Sequence, residues 1–281
     1  MPELPEVEIT ARLLDRTLAG AQIDSALAPG INALKTVDPP LSELAGRSIT
    51  GVRRRGKHLI VTVSGGLALL VHLMSAGRLQ LYDRRAGPRD RTSRLLVRLA
   101  DGRELRLREF GSHQAAWVKL LRESELESDP ALASLGPEAW PDPPPLDEIL
   151  DAPRPLHALL RDQHAIAGIG RSWVDEILWR AKLSPFKRGE DLGDDERALL
   201  AQSIVATLGD ALASYEQTLA LPIPDKLPMP LQVHRRGGEP CPRCGDELRS
   251  VHFEDYVIAY CPACQTEGRV LKDRRLSRLL R

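Results

Sequence analysis

Residues 48–82 read SITGVRRRGKHLIVTVSGGLALLVHLMSAGRLQLY, and their Val, Ile and Leu residues recur with the period of two that sends alternate side chains of a β-strand into a core. Gly65-Gly66 divides the stretch into two runs, 48–63 and 67–82. A third run of the same kind spans 95–110 around Asp101-Gly102, a dipeptide that favours a tight hairpin. Upstream, 6–18 places Val7, Ala11, Leu14 and Leu18 on one face of a helix that Gly20 terminates. The expectation for this half is a helix followed by an antiparallel sheet closed as a β-sandwich, in a chain of α+β class.

Nine acids and no base occupy 123–151, together with Pro130, Pro137, Pro141, Pro143, Pro144 and Pro145. Such a segment holds neither a continuous helix nor a central strand and reads as a linker. Beyond it the period becomes helical, over 155–163, 171–181 and a long amphipathic segment at 194–219. A second Pro-rich joint, 221–230, precedes the C-terminal module. The predicted organisation is a β-sandwich domain at 1–122, the acidic linker at 123–151, a helical domain at 152–230, and a four-cysteine module with a basic tail at 231–281. There is no internal repeat.

The chain has 281 residues, which at roughly 100–200 residues per domain suits two domains with real cores. Glu3, Glu6 and Glu8 stand where a signal peptide carries positive charge, and the sequence reading finds no apolar run near the roughly 18 residues of a bilayer span. The expectation is a cytoplasmic protein with no membrane partner. Thirty-nine Lys and Arg balance 39 Asp and Glu, but not evenly along the chain. From 46 to 82 there are six bases (Arg47, Arg53, Arg54, Arg55, Lys57, Arg78) and no acid. From 234 to 281 there are ten bases against seven acids, with Arg274, Arg275, Arg278 and Arg281 at the end. A polyanion meets these local fields rather than the net charge.

All four cysteines lie in one window, Cys241-x2-Cys244 and Cys261-x2-Cys264, sixteen residues apart. Two tight turns each presenting a pair of thiolates can converge tetrahedrally on zinc, and Gly245 supplies the positive φ such a turn needs. Two disulfides are the competing use of four cysteines, but clustered thiols in a cytoplasmic protein stay reduced. One structural zinc per chain is expected. Four thiolates leave no open position for a water, so the metal is not the catalyst.

The chain starts Met1-Pro2-Glu3-Leu4-Pro5-Glu6-Val7-Glu8. Removal of the initiator would expose a secondary amine at Pro2. Such an amine titrates near about 8 and keeps a neutral, nucleophilic fraction at working pH, able to attack a sugar aldehyde carbon. Glu3, beside it, can move protons.

This start, with Arg55-Gly56-Lys57-His58-Leu59 on a predicted hairpin, Gly168-Ile169-Gly170 opening a helix and the four-cysteine ribbon, resembles the formamidopyrimidine-DNA glycosylase (Fpg/Nei) family of base-excision repair enzymes. The likeness runs through nearly the whole chain. It implies a bifunctional DNA glycosylase and abasic-site lyase acting on damaged duplex DNA by β,δ-elimination. The implied architecture is a catalytic amino-terminal β-sandwich, a helix-two-turn-helix domain and a zinc finger, with DNA in the cleft between the domains. Pro2 would be the nucleophile at the deoxyribose C1′, Glu3 the general acid, Glu6 a supporting carboxylate, and Lys57 a cation fixed near the amine. Arg108 and Phe110 of Leu107-Arg108-Glu109-Phe110-Gly111 would fill the space left by the flipped nucleotide. Gly168 and Gly170 would offer backbone amides to phosphate. The partner is damaged double-stranded DNA, bound by a monomer that needs no small-molecule cofactor and associates with a bacterial-type nucleoid.

Four positions depart from the family pattern. Arg171 stands where Asn is expected, Tyr256 where an Arg grips phosphate, Met74 comes one place early with Ser75 after it, and Glu109 replaces a base. The first two departures exchange places in charge, so either Arg171 takes over the phosphate contact that Tyr256 gives up, with Glu176 orienting it, or Arg171 and Glu176 are simply a surface helix pair. The alternative implied by an altered clamp is a damage-binding protein of the same fold with weakened base excision.

Overall fold

Helix α1, Leu4–Leu18, begins two residues earlier than the expected 6–18, because Pro5 sits in the first turn, where a helix has no use for an N–H. The computed structural model describes residues 2–30, 32–87, 90–110, 114–253 and 256–272. These form two units, Met1–Ser134 with Leu212–Pro228, and Leu135–Ala211 with Met229–Arg281.

In the first unit, each long apolar run is folded at a turn. Run 48–63 becomes β2 (Ile49–Arg55) and β3 (His58–Val63), and run 95–110 becomes β6 (Ser93–Leu99) and β7 (Glu104–Glu109). Run 67–82 instead splits into β4 (Leu67–His72) and β5 (Gly77–Tyr82), which go to different sheets. Strands β1 (Ile23–Leu27) and β8 (Trp117–Arg122) were not expected and complete two four-stranded antiparallel sheets, ordered β1-β6-β7-β5 and β2-β3-β4-β8. The expected sandwich is therefore present. Leu59, Val61, Leu69, Val71 and Leu120 of one sheet share a buried core with Leu79, Leu95, Val97, Leu105 and Leu107 of the other and with Val7, Leu14 and Leu18 of α1.

The other face of β3-β4-β8 is covered as well. Ile60, Leu70 and Lys119 lie in register across it, and Ile60 and Leu70 are fully buried. Lys119 Nζ pairs at 2.8 Å with Asp129, which caps the short helix α2, Pro130–Ala133. Part of the acidic segment is thus folded onto the sandwich. In the next register row, His58, His72 and Trp117 pack ring to ring, with the His58 and His72 centroids 4.6 Å apart and His72 stacked on Trp117. Met74 takes a left-handed conformation (φ 49) and donates its N–H to His72 Nδ1 at 3.0 Å, which leaves the ring proton on Nε2.

The second unit contains α3 (Asp147–Leu150), α4 (Leu156–Leu159), α5 (Arg171–Arg180) and most of α6 (Asp194–Thr218). Helix α4 stops well short of the expected 163. Asp162 accepts the His164 N–H at 3.1 Å, while Gln163 accepts from the Gly168 N–H at 3.0 Å and donates to the Ile169 carbonyl at 2.7 Å. These side chains offer the backbone an alternative to continuing the helix. Helix α6 is long and apolar enough to cross a membrane by length and composition, which the sequence reading overlooked. Its large residues Leu200, Ile204, Leu208, Leu212 and Tyr215 nevertheless fall at helical spacing and are all buried in the protein. The C-terminal module is a ribbon of β9 (Arg249–His252) and β10 (Val257–Tyr260), followed by α7 (Pro262–Gln265), around Val233, Cys241, Leu248 and Cys261. The predicted basic tail, Arg274, Arg275, Arg278 and Arg281, lies outside the described residues, as does Gly111.

Burial lowers His58 to about 4, and burial together with His58 and Lys57 lowers His72 to about 3. The unfolded chain therefore binds protons here that the native state refuses. Stability from these groups is complete above about pH 6.5 and is lost as pH falls toward the native values. Urea unfolding is expected to show wild type losing on the order of a few kcal/mol between about pH 7 and 4.5, more steeply than His58→Phe/His72→Asn. Parallel pH dependences would reject the assignment.

Candidate functional site

At the start of α1, Glu3 is the N-cap and forms a reciprocal capping box with Glu6. The Glu3 N–H donates to Glu6 Oε2 at 2.8 Å, and the Tyr215 hydroxyl donates to Glu6 Oε1 at 2.8 Å. Both carboxylates are 1% exposed. Burial, then the facing Glu6, raises the Tyr215 phenol well above its usual range, so the hydroxyl stays a donor. Pro2, also buried, immediately precedes this box. The sequence-predicted Pro2, Glu3 and Glu6 are thus gathered at one helix start, and Tyr215 is the partner that sequence reasoning missed.

The Lys57 turn is tied to the same helix. Gly56, at φ 55, and Lys57 form the two-residue turn between Arg55 and His58. Arg54 donates from Nε to Glu8 of α1 at 2.9 Å and from its terminal nitrogen to the Gly56 carbonyl at 2.9 Å. Lys57 itself is 9% exposed. A cation so placed is held by the fold rather than moving freely in solvent.

Arg108, on β7, donates to Thr92 Oγ1 at 2.9 Å and to the Tyr82 hydroxyl at 2.7 Å, and its guanidinium lies 4.5 Å over the Phe110 ring. These two predicted residues are therefore a stacked pair, each half-buried. Glu109, between them, points the other way. It is 1% exposed, accepts the Ala116 N–H at 2.9 Å and lies 3.9 Å from Arg94. That departure serves the internal bracing of the sandwich. In the Met74/Ser75 departure, Met74 is half-buried and Ser75 exposed.

In the second unit, Gly168 (φ 107) makes a turn that a residue with Cβ would strain, and Gly170 is the N-cap of α5. Arg171 opens that helix with its guanidinium 5.2 Å from the centre of the Tyr256 ring, so the structure does bring together the two residues whose charges were exchanged. Tyr256 is stacked on Phe253 at 4.5 Å and lies parallel to His157 at 5.8 Å, and Arg161 stands 4.3 Å over the same ring. Phe253, His157 and Arg161 had no sequence signal beyond residue type.

Glu176 does not orient Arg171. It is 3% exposed, and its carboxylate accepts the backbone N–H groups of Gln232 (2.9 Å), Val233 (2.9 Å) and His234 (2.8 Å). Burial raises its pKa, with those three donors opposing. Its neighbour Asp175 lies 2.7 Å from His234 Nδ1 and 3.3 Å from His157 Nε2, and accepts the Ala259 N–H of β10 at 3.0 Å. Burial pushes Asp175 up to about 6 and pulls His157 down.

The four cysteine sulfurs lie within 4.8 Å of one another, with Cys244 3.5 Å from both Cys261 and Cys264, and Cys241 4.0 Å from Cys264. A tetrahedron of thiolates about 2.3 Å from a metal has edges of roughly 3.8 Å, so the four donors fit a metal ion. Burial raises the Cys261 and Cys264 thiols, and a bound cation is what would ionise them. Cys241 is lowered to about 6: burial works against it, but the N–H groups of Arg243 and Cys244 and the Trp179 indole outweigh that. Arg243 stacks 4.2 Å over Trp179 and donates to the Trp179 carbonyl at 2.8 Å, so the first cysteine turn is tied to the end of α5.

Residues 1–112 match the formamidopyrimidine-DNA glycosylase N-terminal domain and residues 144–221 the formamidopyrimidine-DNA glycosylase H2TH domain. Among relatives named formamidopyrimidine-DNA glycosylase, that of Thermus thermophilus is 34% identical over 95% of this chain and 100% of its own length. That of Lactococcus lactis subsp. cremoris is 32% identical over 94% of this chain and 99% of its own. Two solved Lactococcus lactis structures are similar, each with a TM-score of 0.83. One, bound to N7-benzyl-Fapy-dG containing DNA, is 28% identical and covers 94% of this chain and 100% of its own. The other, with abasic-site DNA, is 27% identical and covers 94% and 99%.

Glu176→Ala should cost on the order of 3 kcal/mol in unfolding free energy, because it leaves three backbone donors at 232–234 without their charged acceptor. Glu176→Gln, keeping one acceptor oxygen, should lose less. A denaturant midpoint unchanged in Glu176→Ala would show that the 232–234 loop is held by something else.

Proposed function

The chain belongs to the formamidopyrimidine-DNA glycosylase family, and we propose that it excises damaged bases from duplex DNA and cleaves the resulting abasic site through the amine of Pro2. The observation that carries this reading is the capping box: Glu3 sits beside Pro2 with Glu6 locked behind it by the Glu3 N–H and the Tyr215 hydroxyl. After removal of Met1, the Pro2 nitrogen attacks C1′ of the deoxyribose as the C1′–base bond breaks and the base leaves with a proton. Glu3 then protonates the ring oxygen, the C1′–O4′ bond opens, and an iminium forms between Pro2 and C1′. Proton removal from C2′ and then C4′ expels the two phosphates by β and δ elimination. Lys57, nearly buried in a turn braced to α1, supplies fixed positive charge to phosphate or to the leaving base.

In the first unit, Arg108 stacked on Phe110 is suited to the gap left by the extruded nucleotide. In the second, the α5 amino end with Arg171 is suited to the backbone phosphates. Zinc is the metal we assign to Cys241, Cys244, Cys261 and Cys264, with a purely structural role. The protein works as a cytoplasmic monomer with no small-molecule cofactor.

Borohydride is expected to trap wild type on abasic-site DNA as a covalent adduct, and to fail with amine-acetylated Pro2→Gly; undiminished trapping of the blocked protein would move the nucleophile elsewhere. Glu3→Gln should slow excision by roughly 10²-fold or more. Elemental analysis should find one zinc per chain, lost on replacement of any one of the four cysteines. Protein purified without chelator and free of zinc would overturn that assignment.

A further inference from the structure

We propose that Arg161 is a second phosphate-binding residue, which makes the clamp around Tyr256 a two-guanidinium seat for the DNA backbone. The proposal rests on the DNA-binding reading above. In the sequence, charge is conserved at one cation, since Arg171 is gained as an arginine is lost at Tyr256. In the structure the count is two, because the Arg161 and Arg171 guanidiniums stand 4.3 and 5.2 Å from the centre of the same ring.

Three observations carry the inference. Among the described residues, the Arg161 side chain makes no ion pair and meets no hydrogen-bond acceptor, and its Nε is buried without a partner. Of the neighbouring carboxylates, Asp162 takes Arg154 at 2.9 Å and the His164 N–H, while Asp175 is hydrogen-bonded through Oδ2 to His234 and the Ala259 N–H and faces His157 at 3.3 Å with Oδ1. Finally, the ring is a fixed platform, since Phe253 and His157 both lie parallel to Tyr256, within 3° and 7°.

A half-buried cation facing an aromatic ring recovers only part of what its donors lose in leaving water. Two guanidiniums close to one ring also repel each other. An anion that accepts from both relieves both costs, and phosphate matches the planar fork of arginine. Replacing the arginine otherwise expected at 256 with tyrosine removes a third cation and supplies the surface on which the other two are arrayed.

The test is titration of a duplex carrying a tetrahydrofuran abasic-site analogue, followed by fluorescence anisotropy at several salt concentrations, with wild type, Arg161→Gln and Arg161→Lys. Arg161→Gln should weaken binding several-fold and make the slope of log affinity against log salt shallower by about 0.9. Arg161→Lys should keep the slope, since the charge remains, but bind less tightly than wild type. Because the Arg161 side chain has no ion-pair or hydrogen-bond partner to lose among the described residues, Arg161→Gln should leave the Tm of the DNA-free protein unchanged or raise it. An unchanged salt slope in Arg161→Gln, or a fall in its Tm or failure to fold, assigns Arg161 to the scaffold and overturns the proposal. Wild type that shows no salt-dependent binding to the duplex would instead overturn the functional reading itself.

Discussion

A carboxylate that is 1% exposed, Glu6, is hydrogen-bonded on one oxygen by the Glu3 N–H and on the other by the Tyr215 hydroxyl. A buried charge is tolerated only when its oxygens are met by donors, so these two bonds constrain much of the first unit. One donor comes from the adjoining turn and fixes the amino terminus of α1. The other comes from more than two hundred residues later, near the end of α6, so the chain has to return to the sandwich. The return segment is seated by further contacts: Leu221 packs against the sandwich core and Arg78 donates to the Asp225 carbonyl at 2.8 Å. Glu8, one turn along α1, holds Arg54, and Arg54 holds the Gly56 carbonyl beside Lys57. Pro2, Glu3 and Lys57 are thereby arranged by backbone and buried polar groups, with little left to flexible side chains.

The second unit solves a similar problem with two adjacent carboxylates on α5. Asp175 and Glu176 are both buried, and between them they hydrogen-bond the 232–234 loop, the His234 ring and the Ala259 N–H, with His157 facing Asp175 at 3.3 Å. A network of this kind is stabilising only when its members are met together, and it then specifies one arrangement. Helix α5 is consequently the post on which the cysteine ribbon hangs, with Trp179 and Arg243 adding a third attachment beside Cys241. Because His157 faces Asp175 and also lies parallel to Tyr256, the packing that seats the ribbon also positions the ring beneath Arg161 and Arg171.

The departures from the family pattern become intelligible in these terms. Glu109 is an internal brace for Ala116 and Arg94, so its charge is set against Arg94 inside the sandwich. Met74 adopts a left-handed backbone and donates to His72, and that row of rings packs directly behind the Lys57 turn. Arg171 and Tyr256 meet as the residue exchange suggested, but Glu176, expected to orient Arg171, is occupied elsewhere.

Features that depend on near neighbours were legible in the chain. The apolar period of two marks the strands, i, i+4 and i+7 spacing marks α1, Asp101-Gly102 marks its hairpin, and the two Cys-x2-Cys pairs mark the ribbon. Each is a short-range pattern whose meaning survives without knowing what lies opposite. The family likeness added roles to those residues but not their partners. Folding the chain supplied the rest: that β4 and β5 part to different sheets, that Tyr215 meets Glu6, that Glu176 serves a loop and that Arg161 shares a ring with Arg171. Hydrogen-bond satisfaction and ring stacking join residues far apart in sequence, and they leave no periodic trace, because one correctly placed donor is enough and many positions could have provided it.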